Sequence, residues 1–260
     1  MLRFSFTVRD LEYFLLLLTR ITCFVHTAPI FSTGNVPRRF KVIFSLCIAS
    51  LLYEFMLSHA ELEYSTLIGY AALVLKEASC GLIIGFVGNM CMSMLQFAGS
   101  LTDMDIGLSM VSLFDPVTRQ QTGFSGSLYQ YAFLLMLLVS GQHHYILRAF
   151  IEGYSLIPLG HSGFNANLML TAMMGFITNA FLVALRIYLP IYATMILLNS
   201  TLGVLAKVAP QMNMFAVGIQ LKIFVGFTAL ILTARLLPMV SDFVFQQMRS
   251  MMTDIVRAMA

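Results

Sequence analysis

Seven ionisable side chains sit in or beside strongly apolar stretches of this sequence: Lys76, Glu77, Asp103, Asp105, Arg186, Lys222 and Arg235. Charges of both signs at apolar depth could relay ions or protons, or could pair and hold helices together. One charge at bilayer depth costs at least about 2.5–3.5 kcal/mol, and seven facing lipid singly would cost roughly 20 kcal/mol. They must therefore face protein, water or each other. Structural pairing between packed helices is the simpler reading and a conducting pathway the sharper one. Lys76 and Glu77 are adjacent, so on a helix they point apart and each needs another partner.

Two further groupings suggest chemistry and carry little of it. His143-His144 are neighbours, expected on different faces of a helix, and do not chelate one ion as an i, i+4 pair would. Gly123-Phe124-Ser125-Gly126 superficially matches a serine elbow, but no strand-turn-helix pattern or triad surrounds it. No enzymatic activity, cofactor or metal is expected. The four cysteines, Cys23, Cys47, Cys80 and Cys91, lie inside apolar segments without CxxC spacing and read as buried thiols.

The elements that must position these groups are membrane segments. Hydrophobic residues make up 59% of the chain and charged ones 10%, with a mean hydropathy of +0.85; soluble domains carry roughly 25% charged residues. The net charge of +3 is small and dispersed, which argues against nucleic acid. The first apolar run, 13–31, contains Arg20 and His26 and is kept as a mature segment, because charges of both signs precede it and no cleavage site follows. The basic connector 37–41 precedes a second run, 42–57, and falls on the cytoplasmic side by the positive-inside rule. An acidic connector, 59–63, leads to a third segment from Leu67 to about Phe97. Gly81 and Gly85 there would let helices approach closely.

The stretch 99–126 is the most polar and glycine-rich interruption between apolar blocks, and reads as a mobile element. It holds Asp103, Asp105, Gly107, Asp115-Pro116 and the polar run 118–122. A fourth segment covers 128–150, followed by a polar connector with Glu152, Ser155, Pro158 and Gly160. The block 168–208 is twice a span, and is either one helix kinked at Pro190 or two broken near 199–203. Pro210 marks another break, and the last apolar run stops at Pro238. The tail, 241–260, is amphipathic, with Val244, Met248, Met251, Met252, Ile255 and Met259 on one stripe. A membrane interface, a partner and its own chain are equally open destinations.

Taken in order, these residues resemble the FliR family, called SctT in virulence systems, of flagellar and injectisome type III secretion. The markers are Ala28-Pro29-Ile30-Phe31-Ser32 with Pro37, Lys76-Glu77 with Gly81 and Gly85, and Gly99, Asp103 and Gly107. Then come Asp115-Pro116, Ser155 with Pro158 and Gly160, and Asn199 with Gly203. The strongest is Ala209-Pro210-Gln211-Met212-Asn213-Met214-Phe215 before Gly218, Lys222 and Gly226. Gly141-Gln142-His143 departs from the family's usual Gly-His, and Lys207 stands nearest to a position that is often Arg.

The resemblance implies an all-α membrane-associated subunit of kinked and broken helical hairpins, packed into a hetero-oligomeric helical export gate. It implies a FliP-like part, 1–165, and a FliQ-like part, 166–260. The gate would hold one copy of this chain with several FliP-like and FliQ-like subunits, FlhB- and FlhA-like components as further partners, and unfolded export proteins as substrates. The location implied is the bacterial inner membrane at the flagellar basal body, or at an injectisome base. The motif run looks the more flagellar of the two. A plug across the closed pore is implied for 111–126, carried by Leu113, Phe114, Asp115, Pro116, Val117, Thr118, Arg119, Gln120, Gln121, Thr122 and Gly123. Lys76, Glu77, Asp103, Asp105, Arg186 and Lys222 are expected as buried structural contacts, and Gly81, Gly85, Gly107, Pro190 and Pro210 as packing or break positions. The competing class is a secondary transporter with broken helices; it calls for inverted repeats, and none is evident.

Overall fold

In the computed structural model, residues 7–29, 31, 36–55, 64, 66–109, 123–160, 163, 165–211 and 213–259 are described. Their regular structure is entirely helical: α1 (Val8–Thr27), α2 (Arg38–Phe55), α3 (Leu67–Ile106), α4 (Phe124–Val139), α5 (Gln142–Leu156), α6 (Ala166–Val208), α7 (Met214–Thr233), a 3-10 turn (Ala234–Leu236) and α8 (Leu237–Met259). The protein is an all-α membrane protein. Helices α3 and α6 and the run Ala216–Met259 are each long and apolar enough to cross a membrane.

The chain forms two compact units. One comprises Met1–Met90, His143–Phe176 and Met248–Ala260; the other comprises Cys91–Gln142 and Ile177–Gln247. In the first, α1 packs on α2 and buries Leu16, Leu17, Ile21, Phe24 and Val25. The Phe24 ring stacks on Phe150 of α5 with centroids 3.9 Å apart. In the second, Phe133 of α4 meets Phe245 of α8 at 4.6 Å, and Phe97 of α3 meets Phe181 of α6 at 5.3 Å.

Several boundaries differ from the sequence reading, each for a local reason. The third segment does not end near Phe97. Helix α3 continues to Ile106, so Asp103 and Asp105 are helical, and it stops at Gly107, whose φ of +90° only glycine adopts without strain. The fourth segment is not one helix: α4 ends at Val139 and α5 begins at Gln142, with Gly141 at φ +69° between them. Glu152 and Ser155, expected in a connector, belong to α5.

Helix α6 runs unbroken for 43 residues through Pro190 and through 199–203. Proline removes one ladder bond there, and the hydroxyls of Thr194, Ser200 and Thr201 bond back to the carbonyls of Pro190, Ile196 and Leu197 within the helix. Pro210 does separate two helices, and Asn213 restarts the chain by capping the Ala216 amide. Pro238 ends nothing. It lies in the first turn of α8, where its missing N–H is no loss, so the tail helix begins at Leu237 rather than 241. The tail's stripe is buried against its own chain: Val244, Met248, Met251, Met252, Ile255 and Met259 are all inaccessible. Cys80 and Cys91 are buried, whereas Cys47, expected to be, is exposed on α2.

The Gly141 conformation gives a direct test. Gly141→Ala is expected to cost roughly 1–2 kcal/mol, because an L side chain is crowded in the left-handed region. Gly153→Ala, on α5 with open space around its Cα, should be neutral or mildly stabilising. Thermal unfolding of the two variants in detergent, side by side, reads the difference.

Candidate functional site

Each unit is held by a buried polar anchor that joins distant parts of the chain. The first begins with the glycine face of α3. A Cβ at Gly81 would fall on the Arg20 carbonyl, one at Gly85 on Thr27, and one at Gly88 would lie 2.6 Å from the Pro29 ring. These three positions, at i, i+4 and i+7, lie on one side of α3, and α1 lies directly against them. Glu77 is one turn before Gly81 on the same face, which brings it against Arg20 of α1. Arg20 Nε donates to Glu77 Oε2 at 2.5 Å, and Arg20 Nη1 donates to the Ile157 carbonyl at 2.9 Å. Glu77 Oε1 accepts from the Gly160 amide at 2.9 Å. The Tyr154 ring lies under the guanidinium, 4.6 Å from Cζ. Arg20 is 1% exposed and Glu77 not at all. The pair therefore ties α1, α3 and the end of α5 together and presents no accessible lone pair for an ion to follow.

The second anchor joins the last turn of α3 to the first turn of α4. Asp103, buried, accepts the Ser125 amide on both oxygens at 3.1 Å and the Ser125 hydroxyl on Oδ1 at 2.5 Å. Close approach is again set by glycine: a Cβ at Gly99 would fall on the Gly126 backbone, and one at Gly123 on the Asp103 carboxylate. Nearby on α3, Asp105 accepts a hydrogen bond from the Tyr188 hydroxyl of α6. The Cβ that Gly226 of α7 lacks would lie 2.6 Å from Ile106. Ser125 thus serves an acid as a helix-entry clasp, with its hydroxyl donated to a carboxylate rather than to a base. The His143 and His144 rings lie close together, 3.9 Å between centroids. Among the described residues no three metal-ligating side chains cluster.

The sequence pattern of the family described as "Bacterial export proteins, family 1" matches residues 11–248. The chain belongs to this family, the FliR family. It is similar to "Flagellar biosynthetic protein FliR" of Bacillus subtilis (strain 168), with 31% identity over 221 residues, 84% of each chain. The protein of the same name in Escherichia coli (strain K12) is 26% identical over 242 residues, 92% of this chain and 90% of the relative. That of Aquifex aeolicus (strain VF5) is 26% identical over 228 residues, 87% of each. Both anchors of this FliR-family chain fall inside the matched span.

The remaining residues singled out from sequence are placed as follows. Glu77 and Asp103 are buried contacts and Asp105 is half-buried. Lys76 is exposed on α3, and Arg186 is exposed on α6 with its guanidinium 5.7 Å from the Phe243 ring; neither is buried in this chain, because both lie off the stripes of their helices that pack within it. Lys222 is half-exposed on α7 and Arg235 exposed. The residues proposed for a plug at 113–122 lie outside the described residues; Gly123, described, is the position before α4. Sequence reasoning missed Arg20 as the partner of Glu77 and Ser125 as the partner of Asp103. A cation in mid-segment at Arg20 was the available signal for the first; for the second there was none.

Proposed function

We propose that this chain is the FliR-type subunit of a flagellar type III export gate, forming the protein-export pore with FliP-like and FliQ-like subunits. The observation that carries this reading is the length of its uncovered apolar surface. On α6, Leu168, Met174, Leu182, Leu189, Ile196 and Val208 are all exposed. At 1.5 Å per residue this face runs about 60 Å, twice the roughly 30 Å of a bilayer's hydrocarbon core. Lipid covers about half of such a face on an upright helix, and no more than about two-thirds at a tilt of about 40°, so the rest must be covered by other helices. The reported relatives are all named for flagellar biosynthesis, which supports the flagellar side of this reading.

In this reading 1–165 is FliP-like, 166–260 is FliQ-like, and 111–126 occludes the resting pore in the inner membrane. FlhB- and FlhA-like components dock on the assembly, and unfolded export proteins pass through it. The Asp103–Ser125 clasp and the Gly99–Gly126 contact fix the two ends of the plug segment on rigid helices. The role is structural and gating rather than enzymatic.

The test is genetic and biochemical. Tagged chain should co-purify with the FliP- and FliQ-like proteins of its cell, and its deletion should abolish flagellin export. Purification as a stable monomer that binds a small solute would instead point to a transporter. Deleting 115–123 should raise the ion conductance of the resting gate, and unchanged conductance would remove the plug assignment.

A further inference from the structure

The first unit carries an apolar groove that its own side chains leave unfilled. It measures about 340 Å³ and is walled by Ile21, Phe24 and Val25 of α1, by Phe44, Ile48, Leu51 and Leu52 of α2, and by Leu147, Phe150 and Ile151 of α5. That volume is within the range of sites that enclose small molecules. Its walls are entirely hydrocarbon and aromatic, so the occupant must be apolar along this length.

The polar end is set by α2. Lys41 is 9% exposed, and among the described residues no ion pair or hydrogen bond holds its ammonium. It is followed at i+3, i+7 and i+11 by Phe44, Ile48 and Leu52, so it belongs to the same stripe of the helix as the groove wall. Arg38 and Arg39 are exposed in the first turn of the same helix. Three cations there, where the helix end itself already favours negative charge, accumulate positive potential with no acid in the same turn to balance it. Phe40 stacks on Phe44 with ring centroids 6.0 Å apart, and the Phe31 ring packs tilted against Phe44 at 4.9 Å, so aromatic rings line the junction between the cations and the groove. From Lys41 to Leu52 the helix rises about 17 Å, so the site is an elongated apolar slot with a cationic mouth.

We propose that this groove binds an anionic phospholipid, its phosphate against Lys41, Arg38 and Arg39 and one acyl chain along α2 between α1 and α5. A basic cluster beside an apolar cleft in a membrane protein is the arrangement that selects acidic lipid headgroups. A zwitterionic lipid offers the same chain without the net charge, and a free phosphate offers the charge without the chain. The groove and the cations together select for both. This inference is independent of the export reading, since it needs only a membrane around the first unit.

The test uses the full chain purified with its co-expressed partners and reconstituted with phosphatidylglycerol carrying a diazirine in mid-chain. Illumination is expected to label peptides containing 44–52 and 147–151. Excess unlabelled phosphatidylglycerol should suppress the label, whereas phosphatidylcholine and glycerol 3-phosphate should not. Ile48→Trp fills the slot and should abolish labelling. Leu51→Trp, on the exposed rim, repeats that test with less demand on the fold, and size-exclusion chromatography reports assembly of each variant. Arg38→Gln with Arg39→Gln should weaken competition by phosphatidylglycerol about fivefold for each charge removed. Equal competition by phosphatidylcholine, or labelling that survives both tryptophans, overturns the proposal. So does a photocrosslinking amino acid at position 48 that captures a partner subunit instead of lipid.

Discussion

Glu77→Ala is expected to lower the thermal unfolding midpoint of the purified assembly by roughly 10 °C, corresponding to a cost of about 3–5 kcal/mol. The size follows from what would be left behind. Arg20 would remain 1% exposed, its guanidinium facing only the Ile157 carbonyl and the Tyr154 ring. The Gly160 amide would lose its acceptor at the same time. Arg20→Ala should be comparably damaging, because Glu77 would keep one amide and no cation. The discriminating variant is the double substitution Arg20→Met with Glu77→Met. It removes both charges, and also removes Arg20 Nη2, a buried donor with no partner among the described residues. Replacing a buried pair by apolar side chains of similar volume is often close to neutral. The double variant is therefore expected to be more stable than either single one, with a coupling energy of about 2 kcal/mol or more. If it is as unstable as the sum of the singles, the pair is not one unit and the assignment fails.

Asp103→Ala should act more locally. It leaves the buried Ser125 amide and hydroxyl without their acceptor, at about 1–3 kcal/mol. The entry to α4 should loosen, and limited proteolysis is expected to find new cleavage between 107 and 126 before the rest of the chain is cut. Ser125→Ala, which keeps the amide bond to Asp103, should lose only about 1 kcal/mol. Gly99→Leu reaches the same contact by another route: its side chain cannot coexist with the Gly126 backbone, so α3 and α4 must part. If Asp103→Ala and Gly99→Leu leave proteolysis unchanged while Gly141→Ala alters it, the clasp is not what fixes the ends of the 107–123 segment.

The two anchors also show which parts of the site the sequence could and could not reveal. Glu77 and Asp103 were visible as acids that apolar surroundings do not tolerate alone. Their partners were not, because Arg20 is 57 positions away and Ser125 is 22, and no local periodicity relates residues that meet only when helices pack. The glycines at 81 and 85 signalled a close helix contact from spacing alone, but not that α1 supplies it. Lys76 and Arg186 read in sequence like Glu77; only packing separates them, since each helix buries one stripe and these two lie off it.

By itself, the sequence determined the class of protein. Hydropathy and the scarcity of charge require apolar helices, glycine and proline mark most of their ends, and the order of motifs from Ala28 to Gly226 carries the family. It could not decide continuity. Pro190 and Pro238 look like breaks, yet Pro190 lies inside α6, where one missing N–H is outweighed by the flanking ladder, and Pro238 lies in the first turn of α8, where no N–H is missed. Gly141 looks incidental, yet two helices part there, because its left-handed backbone admits no regular continuation. It also could not decide pairing: which acid meets which base, and whether the tail stripe covers a membrane or its own core. Those depend on burial across the fold, which is a property of the packed chain rather than of any window along it.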